Sequence, residues 1–208
     1  MIALLRMYDV TGEQKYLDVV QSVVQLMDKH RELWLRDGSW LSALTLAFLE
    51  DYHRLTGEPI GRELFMTKIE WWLDQYYTPE KRTLGKREGG AEFFYGNELS
   101  AGGSLMLSAA PLGYAYELTG DEYYLQVAHQ LLHEGMRFPA ELIARDLAPI
   151  ARRGYPTVAT RSDGKWFSLI NFYTHRLPTA FAGVTDAQYE QIRRAAPQRR
   201  ESAGNSTP

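Results

Sequence analysis

Three stretches of the chain read as one junction: YDVTGEQKYL at 8–17, YHRLTGEPIG at 52–61 and YELTGDEYYL at 116–125. Each places a glycine (Gly12, Gly57, Gly120) where a left-handed residue would end a helix, a region of backbone space that glycine enters without steric cost. Each follows it with an acid, Glu13, Glu58 or Asp121, in the first turn of the next helix, where the dipole favours negative charge. Tyr8, Tyr52 and Tyr116 fall on the last turn of the leading helix, and packing against the following helix is their structural expectation. A chain that writes one helix–turn–helix three times is constrained to an array of helical hairpins.

The segments on the two sides of the junctions differ in pattern. After them, apolar residues recur three and four apart: Tyr16, Leu17, Val20, Val23, Val24 and Met27 in 13–29, and Tyr124, Leu125, Ala128, Leu131 and Leu132 in 121–136. In 62–77 the stripe is Phe65, Ile69, Trp72, Leu73 and Tyr76, broadened by Trp71 and Tyr77. Such spacing predicts amphipathic helices with one buried face. Before the junctions, WLSALTLAFLEDYHRL (40–55) and SLMLSAAPLGYAYEL (104–118) are apolar nearly all round, so these helices are covered on more than one side. Covered inner helices therefore alternate with half-exposed outer ones. Short turns lead from inner to outer, and the longer segments 30–38 and 78–102 lead back, so the long loops are expected on one face, where sites are usually built.

Inner and outer helices joined by tyrosine-bearing TG turns of this kind resemble the α/α-toroid superfamily of six-hairpin glycosidases and polysaccharide lyases. The resemblance rests on YELTGDEYYLQVAHQLL and GSWLSALTLAFLEDYHRLTG and spans about residues 1–136. It implies an all-α, toroid-like array of about three and a half hairpins, fewer than a closed ring needs. The expectation is a partial, C-terminal portion of a larger toroid, since MIALLRMYDVTG reads as the last turns of a helix. The alternative is an open arc that covers its ends by self-association, because an uncapped repeat stack leaves apolar surface in water. The hairpin domain is expected over 1–182, followed at 183–208 by a short helix and a disordered tail.

Bulk properties narrow the function classes. The formal net charge of −3 offers no pull toward nucleic acid, and the arginines near the C-terminus read as a solvated tail. Cysteine is absent, which removes disulfides, thiolate metal sites and cysteine nucleophiles from consideration. No apolar run reaches the ~18 residues of a membrane span, and the start does not read as a secretory signal, so a cytoplasmic chain with no membrane partner is the expectation.

His129 and His133 stand four apart, at ligand spacing, but lie off the apolar stripe of an outer helix and lack the glutamate of a zinc protease motif; a solvated face is expected, with no metal and no cofactor. Gly102 and Gly103 in SAGGSLM lack a phosphate-loop lysine and its preceding strand, and read as loop flexibility or close helix approach. There is no G-x-S-x-G nucleophile elbow.

Carboxylates and aromatics on the loop face remain. Glycosidic hydrolysis needs a protonated acid and a second carboxylate; elimination from a uronate needs a base and groups that neutralise the sugar carboxylate. EGGAEFFYGNE (88–98) supplies Glu92, Tyr95, Asn97 and Glu98 as catalytic candidates and Phe94 for stacking. Asp37 and Trp40 enter the neighbouring inner helix from the same face, and Arg161 and His175 of the C-terminal region could reach an acidic sugar. The toroid resemblance and this furnishing lead to the expectation of a glycoside hydrolase or polysaccharide lyase acting on an oligosaccharide or polysaccharide. The competing expectation is a non-catalytic helical scaffold that binds a protein or a glycan.

Overall fold

The computed structural model describes residues 1–35, 41–78, 83–84, 98–142 and 180–195, with the backbone alone at 41, 78, 83–84, 98–107 and 134–142. The described residues are all-α in class, apart from one pair of two-residue strands. They fall into two compact units, Met1–Trp72 and Leu73–Pro208.

The first unit contains α1 (Ile2–Thr11), α2 (Gln14–Lys29), α3 (Arg31–Leu35), α4 (Leu41–Thr56) and α5 (Pro59–Tyr76) as far as Trp72. α1 packs on both α2 and α4. Burial follows the inner and outer pattern. On α4 the buried residues include Ala43, Leu46, Ala47, Phe48, Leu49 and Tyr52, which face several directions, whereas α2 buries only the stripe Leu17, Val20 and Val24. Arg6 of α1 pairs with Asp51 of α4 at 3.5 Å, and Arg6 stands as far before Thr11 as Asp51 stands before Thr56. The connection from α2 to α4 leaves from helix ends remote from both turns. Part of it is not loop: α3 fills Arg31–Leu35, where an irregular segment is the sequence expectation.

The second unit begins at Leu73 in the last turn of α5 and continues through β1 (Tyr77–Thr78), β2 (Thr83–Leu84), α6 (Glu98–Thr119), α7 (Glu122–Leu142) and α8 (Asp186–Arg194). β1 and β2 are antiparallel, with Tyr77 opposite Leu84 and Thr78 opposite Thr83. Tyr77 thus leaves the helix it was expected to broaden, and its buried hydroxyl donates to Gln130 Oε1 of α7 at 2.7 Å. On α6 every residue from 108 to 115 is buried, two full turns with no exposed face. α7 buries Tyr124, Leu125, Val127, Ala128 and Leu131, while Leu132 is only half-buried. Gly102 and Gly103 lie inside α6 rather than in a loop, so their N–H groups fall within its hydrogen-bonded ladder and form no anion-binding opening. α8 starts on a capping box, in which Gln188 N–H donates to Thr185 Oγ1 and Thr185 N–H to Gln188 Oε1.

All three junctions close with the same hydrogen bonds. Gly12, Gly57 and Gly120 take φ of 68°, 69° and 71°, and their N–H groups donate to the carbonyls of Tyr8, His53 and Tyr116. The threonine beside each glycine works in both directions. Thr11, Thr56 and Thr119 donate through Oγ1 to the carbonyls of Met7, Tyr52 and Ala115 at 2.6, 2.8 and 2.7 Å. The same oxygens accept from the N–H of Glu13, Glu58 and Asp121, each at 3.2 Å. One side chain thereby ties the end of one helix to the beginning of the next, satisfying groups that helix ends leave open.

The tyrosines are not equivalent. His53 occupies the place of Tyr8 and Tyr116, and Tyr52 sits one residue earlier, about 100° round the helix. That rotation buries Tyr52 completely, whereas Tyr8 and Tyr116 are half-buried. The Tyr52 hydroxyl donates to the Glu58 carboxylate, which also accepts from Gln21 Nε2 at 2.6 Å. Burial, followed by this bond to Glu58, raises the Tyr52 pKa above that of a free phenol.

Candidate functional site

In the first unit the richest collection of functional groups surrounds Lys68. Leu64, Phe65, Lys68, Ile69 and Trp72 share one face of α5, so a lysine stands inside an apolar stripe and is 1% exposed. An ammonium at such depth needs acceptors. Nζ finds them in the carbonyls of Trp34 and Leu35, at 2.9 and 3.0 Å. These are the last two residues of α3, where carbonyls lack intrahelical partners and the dipole is negative. The charge also lies 4.9 Å from the Trp71 ring centre and 5.6 Å from that of Trp34, within cation–π range.

Both ends of α3 are held. The Trp34 indole donates to the Met27 carbonyl of α2 at 2.6 Å, fixing the ring. Arg31 reaches Asp28 of α2 at 2.7 Å through Nε and Glu63 of α5 at 2.6 Å through a terminal nitrogen. These acids, Asp28 first and then Glu63, raise the Arg31 pKa. Beneath, Trp72 is fully buried and its Nε1 has no hydrogen-bond partner among the described residues. The cluster offers two half-exposed rings, Trp34 on α3 and Trp71 on α5. Lys68 is too deep to act on a ligand as acid, base or nucleophile; what it does chemically is hold α3 to α5.

The sequence singled out other residues, and most lie outside the described ones. Asp37 and Trp40 fall in 36–40; Glu92, Phe94, Tyr95 and Asn97 in 85–97; Arg161 and His175 in 143–179. Glu98 opens α6, and its side chain is outside the description. The sequence holds a signal for Lys68 that its stripe reading does not use: a lysine at a stripe position, three residues before the Trp71–Trp72 pair.

The second unit has two clusters of its own. Tyr123 of α7 is pushed up to about 12, first by burial and then by the charge of Asp74. His129 does not lie on a solvated face as expected: it is half-buried, and its ring meets that of Tyr189 on α8 edge-on at 5.9 Å. His133 is exposed. Among the described residues no group of three or more His, Asp or Glu side chains could hold a metal ion, and no helix is long and apolar enough to cross a membrane. Compared with protein-family models, curated proteins and solved structures, the chain matches none of them.

Proposed function

We propose that this chain is a carbohydrate-active protein, a glycoside hydrolase or polysaccharide lyase, whose saccharide lies against the hairpin ends opposite the TG turns. The observation that carries the reading is the hairpin build itself. Three turns with the same hydrogen bonds close one end of each hairpin, and the catalytic candidates lie in or at the end of the segment that returns from α5 to α6. In the first unit such a connection carries the half-exposed indole of Trp34, on α3, suited to stacking on the C–H face of a sugar ring. Glu92, Tyr95, Asn97 and Glu98 would supply acid, base and charge neutralisation, with Asp37, Trp40, Phe94, Arg161 and His175 as binding groups. A fold alone does not assign chemistry, so the reading stands or falls on turnover. The experiment is single replacement of Glu92, Tyr95, Asn97 and Glu98, assayed on a broad panel of neutral and acidic glycans. Loss of turnover in at least one variant is expected; a chain without turnover, or four variants as active as the parent, would overturn it.

A second reading, a non-catalytic helical scaffold for a protein or glycan, is favoured by the apolar side chains that the first unit leaves exposed. Val10 is 82% exposed, and Met7, Val19, Leu26 and Leu33 are also open to solvent. Glycan turnover would count against it.

A further inference from the structure

We propose that α8 is a pH-governed latch on α7, docked while the His129 imidazole is neutral and released when that ring takes a proton. α8 is nine residues long and contributes one fully buried side chain, Ile192, to its contact with the second unit. Ile192 packs with Leu125 and Ala180, and Tyr116, Phe181 and Val184 close around them. A helix anchored by so little buried surface belongs to the low-stability end of a fold and responds to small changes at its interface.

His129 sits in that interface. Its ring meets Tyr189 edge-on at 5.9 Å and 78°, and Tyr189 meets Phe181 in the same way at 6.0 Å and 78°. A neutral imidazole continues this aromatic row, while a charged one would have to be desolvated within it. The charges that act on the ring are His133, one turn along α7, and Arg193 of α8, both of a sign that opposes protonation. Of the acids on α8, Glu190 is committed to Arg193 at 2.7 Å and Arg194 at 3.3 Å, and Asp186 lies in the first turn. On α6, Tyr116 packs against the Ile192 cluster, and Glu117 beside it is exposed.

Burial first, and then His133 and Arg193, hold the His129 pKa below its ordinary value. The docked state therefore binds fewer protons than the released one. Docking is at full strength above the ordinary histidine pKa of about 6.5, weakens as pH falls through that value, and levels off below the docked-state pKa. Release uncovers the apolar surface around Leu125 and Tyr116.

The test is amide hydrogen exchange on the full chain at about pH 7.5 and about pH 5.5, corrected for intrinsic rates, in the parent, His129→Gln and His129→Phe. In the parent, protection over 186–194 is expected to fall severalfold at the lower pH while that of 124–131 holds; in both variants the fall should vanish. Unchanged protection in the parent, or the same fall in the variants, would sink the latch. An NMR titration of the His129 ring in the parent decides the matter if the variants fold poorly. A pKa at or above the ordinary value overturns the proposal, and a lower one that tracks the loss of protection supports it.

Discussion

Gly61 lies so close under the Tyr52 ring that a β-carbon added to it would stand 2.8 Å from Tyr52 Cδ1 and 3.1 Å from His53 Cβ. The tight TG turn brings α5 back against the last turn of α4, and the missing side chain makes room for the buried phenol. Gly57, by contrast, has open space around an added β-carbon and is glycine for its φ of 69°. Two glycines four residues apart are thus required for different reasons. Gly61→Ala should destabilise the protein by about 1–3 kcal/mol through overpacking. Combining it with Tyr52→Leu should recover part of that loss in urea denaturation. Equal costs in the two backgrounds would show that the close approach is not what constrains position 61.

The junction threonines should matter in proportion to their burial. Thr56→Val keeps the shape but removes both the bond to the Tyr52 carbonyl and the acceptor for Glu58 N–H, and should cost about 1–2 kcal/mol. Thr11→Val, at an exposed turn, leaves groups that water can reach and should cost less. Thermal or chemical denaturation of the two variants side by side reads the difference, and Thr56→Ser should stay near the parent.

Removing the Lys68 ammonium should loosen α3 specifically. Lys68→Met keeps the length and the apolar stem but leaves the Trp34 and Leu35 carbonyls without their donor, at a cost of about 1–3 kcal/mol. Amide exchange over 31–35 should accelerate more than over 14–29, and near-ultraviolet dichroism should report a changed tryptophan environment. Uniform acceleration across both segments would mean that Lys68 supports the whole unit and not α3 in particular.

Tyr77 and Gln130 test buried hydrogen bonding in the second unit. Tyr77→Phe strands Gln130 Oε1 and should cost about 1–3 kcal/mol. The double variant Tyr77→Phe with Gln130→Leu, which removes both partners of this bond, should be less destabilised than the sum of the single changes. Additive losses in a double-mutant cycle would show that the bond contributes nothing net.

Sequence alone determined the hairpins. Gly12, Gly57 and Gly120, their threonines and the acids after them bond to groups within a few residues, so these turns are written locally and their repetition is visible in a string of letters. Covered and half-exposed helices were equally legible, because stripe width depends only on which residues recur at helical spacing. The offset of Tyr52 was legible in principle, since one extra residue separates it from its threonine, but its burial against Gly61 depends on how α5 returns.

What only the tertiary structure decided are the partners of polar groups inside apolar stripes. The stripe places Lys68 among apolar residues, but only α3 brings its carbonyl end over it; the pattern makes Tyr77 helical, and β1 turns it toward Gln130; the pattern leaves His129 solvated, and α8 lays Tyr189 against it. Each depends on segments distant in sequence, and no periodicity records which segment will arrive. Local bonding selects the elements, whereas the acceptor that a buried ammonium or phenol finds is selected by the fold as a whole.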